Sequence, residues 1–239
     1  AGLRSFNMKM PEEINRILTD RISDLLFCPT QTAIDNLTKE GYPFAENKLI
    51  LSGDVMQDAA MYYAQTSASK STIIEKLKLR DFVLCTLHRA ENTDDLSRLK
   101  SIIDSLSEIH NVVPVVLPLH PRTQKIVKDA GINLPFTVID PVGYFDMIEM
   151  LKHCSLVMTD SGGLQKEAFF FAKHCITLRD ETEWVELVQG GFNKLAGADY
   201  NKILSSFEEM RNKKSDFSVN LYGGGKASEK IVNELHRSS

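Results

Sequence analysis

Residues 156–171 read LVMTDSGGLQKEAFFF, and this stretch decides the fold. A short apolar run from Leu156 meets Thr159 and Asp160, then Ser161, Gly162 and Gly163, and then a segment of helical character to Phe171. A buried strand that breaks on glycines and resumes as a helix is the βα turn of a parallel sheet. At such a turn the helix N-terminus is positively polarised, and glycines let an anion come close to main-chain N–H groups. Ser161, Gly162 and Gly163 therefore suit a diphosphate. Glu167 lies four residues after Gly163 and projects from the same helix face, where a carboxylate accepts two ribose hydroxyls. The letters alone also describe a plain tight turn with a solvated glutamate; the strand-turn-helix context favours a ligand.

Working outward, the alternation recurs. Strands of buried type at 82–87 (FVLCTL), 112–119 (VVPVVLPL), 136–140 (FTVID) and 175–178 (CITL) alternate with helical patterns at about 96–109, 122–129 and 144–152. Near-continuous apolar strands with interposed helices mean a parallel sheet covered on both faces, a doubly wound α/β class of Rossmann type. Upstream, Pro11, Glu12 and Glu13 open a helix whose apolar positions Ile14, Ile17, Leu18 and Ile22 follow helical spacing. A strand at 25–28, a helix capped by Thr30 and stopped by Gly41, a strand at 48–51 and a helix at about 55–65 follow.

The small polar run TSASK at 66–70 has linker composition and marks a boundary. Residues 1–65 are read as the remnant of a preceding Rossmann-type domain with its connection, and 66–217 as the ligand-binding domain. Residues 218–239 form a tail that breaks at Tyr222–Gly225 and ends in a helix from about Ala227 to Leu235, packing back toward the first domain. The opening Ala1-Gly2-Leu3-Arg4 reads like the middle of a longer protein.

Composition narrows the partners. Apolar content of 43% and charged content of 25% are ordinary globular values. A formal net charge of -4 argues against nucleic acid or an anionic membrane surface, so any polyanion bound is small. No run approaches the ~20 apolar residues of a membrane span, and no signal-like segment opens the chain. Cys28, Cys85, Cys154 and Cys175 are widely spaced, without CxxC pairing or ligand spacing. Cys28, Cys85 and Cys175 sit in apolar runs and read as buried thiols, and a reducing, cytoplasmic compartment and no metal site are expected.

Two further βα loops carry candidate chemistry. Thr86–Asn92 (TLHRAEN) offers His88 to supply a proton or hydrogen bond to a departing phosphate, and Arg89 to neutralise its charge. On spacing alone, Glu91 and Asn92 equally read as helix-capping residues with Arg89 as their partner. His120 and Arg122 repeat the placement after the next strand and would line the same positive crevice. Arg179–Glu186 (RDETEWVE) holds the single tryptophan, Trp184, and is either a wall of the site or a charged loop anchored by that ring. Glu12 and Glu13 are, taken alone, ordinary first-turn acids; the other reading is a base for a proton next to a weakly acidic carbon, which Arg4 or Arg16 could orient.

Seven blocks in order, AGLRS (1–5), MPEEINRILTD (10–20), LHRAEN (87–92), LHPRT (119–123), DPVGYFDM (140–147), TDSGGLQKEA (159–168) and RDETEWVE (179–186), resemble the non-hydrolysing UDP-N-acetylglucosamine 2-epimerases over essentially the whole chain. The resemblance implies a GT-B-like fold, a UDP-sugar substrate and no nicotinamide or metal cofactor. It also implies UDP elimination to a 2-acetamidoglucal followed by re-addition on the other face, and a homodimer for the full-length form. By the same resemblance Glu12 and His88 are catalytic, Ser161, Gly162 and Gly163 hold diphosphate, and Glu167 holds ribose. Trp184 stands where many members have an arginine. The expected function is interconversion of UDP-GlcNAc and UDP-ManNAc for surface polysaccharide synthesis. The HRAEN, HPRT and TEWVE blocks also resemble a branch acting on UDP-2,3-diacetamido sugars, the alternative substrate. A GT-B glycosyltransferase and a non-catalytic UDP-binding module are the remaining readings.

Overall fold

The computed structural model describes residues 1–44 and 47–238. The chain forms two compact units, residues 1–62 with 218–239, and residues 63–217.

In the first unit α1 (Pro11–Arg21) precedes β1 (Leu25–Cys28), α2 (Gln31–Lys39), β2 (Lys48–Leu51) and α3 (Val55–Ala64), in whose last turn the unit ends. Strands β1 and β2 are parallel, paired from Leu25↔Lys48 to Cys28↔Leu51. Thr30 caps α2 by accepting from the Ala33 N–H at 3.2 Å, and Leu26, Cys28, Ala33, Leu37 and Tyr42 form the core. Arg4, a candidate for orienting Glu12, does something else: it is buried, clasps Glu40 through Nε at 2.7 Å and Nη2 at 2.9 Å, and donates to Asp20 at 2.8 Å. Its charge is spent on tying the first residues to α1 and α2.

In the second unit α4 (Ser67–Lys70), α5 (Ile73–Leu77), β3 (Val83–Thr86), α6 (Ala90–Thr93), α7 (Leu96–His110), β4 (Val115–Pro118), α8 (Pro121–Asp129) and β5 (Thr137–Ile139) come first. They are followed by α9 (Tyr144–His153), β6 (Leu156–Thr159), α10 (Gly162–Phe170), β7 (Cys175–Thr177), α11 (Val185–Gln189), β8 (Asn193–Leu195) and α12 (Tyr200–Asn212). The sheet is parallel throughout, in the order β5-β4-β3-β6-β7-β8. Strand alternation feeds two apolar layers: Val83 and Cys85 face one with Leu99, Ile102, Ile203 and Phe207, while Phe82 and Leu84 face the other with Met150, Leu151 and Ala168. The sheet therefore grows outward in opposite directions from β3 and β6, whose register pairs Thr86 with Thr159. That reversal makes their carboxyl ends the switch point where open α/β sheets bind ligands.

Residues 66–70, expected as linker, are instead mostly helix α4. Small side chains let it pack closely on α9, where buried Ser67 donates to Glu149 at 2.5 Å and Lys152 joins the same carboxylate at 2.7 Å. Helix α12, which the sequence pattern left unread, buries Ile203, Phe207 and Met210 at helical spacing and is capped by Asp199. All four cysteines are free and buried, and burial pushes their thiols up.

Near the end of this unit His174 lies 5.0 Å from the Phe217 ring and its Nε2 meets Ser215 Oγ at 2.9 Å. Burial, helped by the charge of Lys213, holds the imidazole below the ordinary histidine value. The fold therefore favours the neutral ring. Its contribution to stability is complete above the unfolded-state value and declines as pH falls through it, because the unfolded chain then binds the extra proton. His174→Gln is expected to flatten the fall in Tm between about pH 8 and pH 5; an unchanged slope in thermal melts would assign the acid sensitivity elsewhere.

The tail returns to the first unit. Gly53 has φ of 92°, and a Cβ there would sit 2.7 Å from the Tyr222 carbonyl oxygen, so the close approach of 52–54 to 222–223 requires glycine. The Asp54 N–H donates to that same oxygen at 2.8 Å, and Tyr222 is fully buried. Asp58 on α3 then caps α13 (Ala227–Ser238), accepting from the N–H groups of Ala227 at 3.1 Å and Ser228 at 2.7 Å.

Candidate functional site

At the switch point of the second unit lies a cavity of about 350 Å³, lined by Thr86, His88, His120, Pro141, Ser161, Gly163 and Glu167 among others. Ser161 starts α10: its N–H donates to Thr159 Oγ1 at 2.9 Å, and its own Oγ accepts from the Leu164 N–H at 3.4 Å. The N–H groups of Gly162 and Gly163 have no acceptor among the described residues. Two such donors at a helix N-terminus are groups of the kind that can receive an anion. A Cβ on Gly162 would lie 3.1 Å from Glu183 Oε1 and 3.8 Å from Arg179 Nη1. Behind the glycines, then, sits the Arg179–Glu183 pair, closed at 3.0 Å and nearly buried.

Glu167 is buried to 8% exposure. Burial pushes its carboxyl up, and a hydrogen bond from the Tyr144 hydroxyl partly offsets this. The Tyr144 phenol is pushed up to about 12, by burial first and then by the charge of Glu167. A desolvated carboxylate held by one phenol is a strong acceptor with lone pairs to spare for hydroxyls.

His88 is anchored from below. Its Nδ1 lies 3.0 Å from Oδ1 of Asp160, whose side chain is fully buried. The same carboxylate accepts the main-chain N–H groups of His88 at 3.0 Å and Arg89 at 2.9 Å, and Asn92 Nδ2 at 3.4 Å. Asn92 is itself buried, donates to the Leu178 carbonyl at 2.8 Å and accepts from Arg98 Nε at 3.2 Å. It ties the segment after β3 to the chain after β7, which is not the capping role expected from sequence. Sequence spacing assigns Asp160 no role. The available signal was an acid directly after a buried apolar strand, where an unpaired charge is too costly to leave.

His120 lines the same cavity and caps α8, its Nδ1 accepting from the Arg122 N–H at 3.3 Å. The Arg122 guanidinium instead grips Asp94 at 2.7 Å and 2.9 Å. Arg89 supplies the N-cap position of α6 without a side-chain cap bond. Trp184 is buried, with Lys166 Nζ 4.1 Å from its ring centre, and its main-chain N–H donates to Thr182 Oγ1 at 3.2 Å. The structure thus gathers His88, His120, Ser161, Gly163 and Glu167 around one cavity and sets Gly162 and Arg179 just behind it. Arg122 pairs with an acid, and Trp184 anchors its own loop.

In the first unit the two adjacent acids have separate fates. Glu13 is fully buried and accepts from the Ser5 N–H at 3.0 Å, the Ser5 hydroxyl at 3.2 Å and the Phe6 N–H at 2.9 Å. Glu12 is exposed on the first turn of α1, and its carbonyl accepts from Arg16 Nε at 3.2 Å. Glu13 is committed to structure, and the carboxylate left available is Glu12.

The sequence profile of the UDP-N-acetylglucosamine 2-epimerase family matches residues 1–236. A UDP-2,3-diacetamido-2,3-dideoxy-D-glucuronate 2-epimerase of Pseudomonas aeruginosa is 55% identical across 98% of this chain and 66% of its own length. A UDP-N-acetylglucosamine 2-epimerase of Methanocaldococcus jannaschii is 40% identical across 98% and 67%. The crystal structure of a UDP-GlcNAc 2-epimerase from Methanocaldococcus jannaschii, in complex with UDP-GlcNAc and UDP, superposes with a TM-score of 0.89 at 40% identity, covering 99% of this chain and 67% of that one. A Neisseria meningitidis UDP-GlcNAc 2-epimerase bound to UDP-GlcNAc gives 0.83 at 30% identity, covering 99% and 68%. These neighbours are GT-B-like, and so is the parallel α/β class of this chain. The chain spans about two thirds of the length of the curated relatives it matches.

Proposed function

This chain belongs to the UDP-N-acetylglucosamine 2-epimerase family, and from that footing we propose that the whole protein inverts C2 of a UDP-2-acetamido sugar. The observation that carries the reading is the switch-point cavity, lined by Ser161, Gly163 and the desolvated Glu167 at the start of α10, with Gly162 just behind it. Gly162 and Gly163 would hold the diphosphate, Glu167 the ribose hydroxyls, and His88 the phosphate side of the bond that breaks. Glu12 would take the C2 proton while the C1–O bond breaks and UDP departs, leaving a C1=C2 double bond. Re-addition of UDP and return of a proton to the opposite face of C2 complete an inversion that is redox-neutral.

Identity of 55% to the P. aeruginosa enzyme against 40% to the M. jannaschii one favours the substrate that sequence placed second. A UDP-2,3-diacetamido-2,3-dideoxy uronate is the first substrate to try and UDP-GlcNAc the second. The reading includes service to surface polysaccharide synthesis, a cytoplasmic setting and a homodimer of the full-length form. No described helix is long and apolar enough to cross a membrane.

The test is proton NMR of the full-length protein with each sugar nucleotide in D₂O. Deuterium entering C2 together with a second epimer supports the reading. Sugar transfer without C2 exchange would make the protein a glycosyltransferase, and UDP binding without either would make it a binding module.

Glu167→Ala is expected to weaken UDP about 10- to 100-fold, since hydrogen bonds to a charged group contribute about 1.5–3 kcal/mol. Inorganic pyrophosphate, which offers no hydroxyl, should bind as before. Calorimetry with both ligands decides: equal losses would assign Glu167 to the fold.

A further inference from the structure

We propose that Asp160 is the positioning residue of the site: it sets the tautomer of His88 and fixes the distance between the His88 loop and the glycine turn. The proposal deepens the epimerase reading and rests on it for the turnover arm of its test.

Asp160 is fully buried between the end of β6 and the start of α10, immediately before Ser161. Its carboxylate receives four donors, all from residues 88–92 after β3: the main-chain N–H groups of His88 and Arg89, the side-chain amide of Asn92 and the His88 ring, with Nδ1 at 3.0 Å. A carboxylate offers only acceptors, so the ring nitrogen facing it carries hydrogen. Which nitrogen of a histidine is protonated is decided by the bond the other face makes; here Nδ1–H is spent on Asp160 and Nε2 remains for the ligand. One buried side chain thereby holds both the backbone that carries His88 and the imidazole itself. Because it is contiguous with Ser161-Gly162-Gly163, the glycine turn and the histidine cannot drift apart independently.

His120, on the other side of the cavity, has the opposite arrangement. Its Nδ1 accepts from the Arg122 N–H, so Nε2 bears the hydrogen and can only donate. Of the two histidines that line the cavity, His88 alone can exchange a proton through Nε2 without losing its anchor.

The experiment uses the full-length protein labelled with ¹⁵N-histidine, with His88→Asn to assign the resonance. The neutral His88 ring of the wild type should show protonated Nδ1 and bare Nε2; the reverse tautomer overturns the proposal without any assay of activity. Asp160→Asn keeps the volume but presents an amide to donors. It should shift His88 toward the Nε2–H tautomer and lower turnover roughly 10²-fold, the scale of a misplacement by an ångström, with UDP affinity held within a few-fold. In the His88→Asn background the same substitution should cost little more, since both act through one ring. Additive losses would show that Asp160 works independently of His88 and overturn the proposal. Absence of epimerase turnover in the wild type would strike the functional reading alone, because the tautomer is read separately.

Discussion

Glu12→Gln in the full-length protein is expected to lower turnover by ~10²–10⁴ while leaving UDP affinity and Tm nearly unchanged. The C2 proton of an N-acetylated sugar has no adjacent carbonyl to stabilise a carbanion, so its removal needs a placed base acting in concert with the departure of UDP. Glu12 is the exposed member of the first-turn pair, so a neutral amide there breaks no buried contact. The neighbouring Glu13→Gln is the control with the opposite signature. Its carboxylate holds the Ser5 and Phe6 N–H groups and the Ser5 hydroxyl inside the first unit. Weakening those bonds should cost about 1–3 kcal/mol, a fall in Tm of several degrees by the usual ~2–4 °C per kcal/mol for a chain of this size. Steady-state rates and thermal melts on both variants suffice. Wild-type turnover by folded Glu12→Gln would return that residue to an ordinary first-turn acid.

His88→Asn is the second large effect, with turnover down by ~10²–10⁴. The loss should fall on the rate more than on UDP affinity, which the glycine N–H groups and Glu167 supply. His120→Asn gives the contrast. Asparagine is a good N-cap, so α8 survives, and only a fixed donor is lost at the cavity wall. It should raise KM more than it lowers kcat. If the two substitutions affected kcat alike, the distinction drawn from their hydrogen bonds would be wrong.

The ordered sheet was readable because five apolar runs end on polar or glycine-bearing loops, and each run supplies a parallel strand, buried except for the partly exposed edge strand β5. Pro11, Thr30 and Gly41 marked helix ends for local steric and hydrogen-bonding reasons that act on the chain before it folds. Helix α4 was illegible because TSASK is small and polar for two different purposes, flexibility in a linker and close approach in a packed helix, and only the distant Glu149 selects the second. The same holds at the site. Ser161, Gly163 and Glu167 are set by one turn and lie within a few residues of one another, so spacing exposed them. The task of Asp160 depends on donors 68 to 72 residues away, and Arg122 was lost to Asp94, 28 residues upstream. Local periodicity carries no information at that range.

The docking of residues 218–239 on Gly53 and Asp58 also defines the threading of the polypeptide. The chain leaves the first unit once and returns to it once, so the second unit is an insertion within the first, not an appendage at its end. A protease cut at the return crossing would not release the last twenty-odd residues, because Tyr222 is buried and α13 is capped by Asp58. The nicked protein would migrate as one species on a sizing column and as two in denaturant. For the same reason a circular permutation that opens the chain in 63–217 keeps the first unit's two segments continuous through a new junction, whereas simple truncation before residue 218 strips that unit of a piece of its own interior.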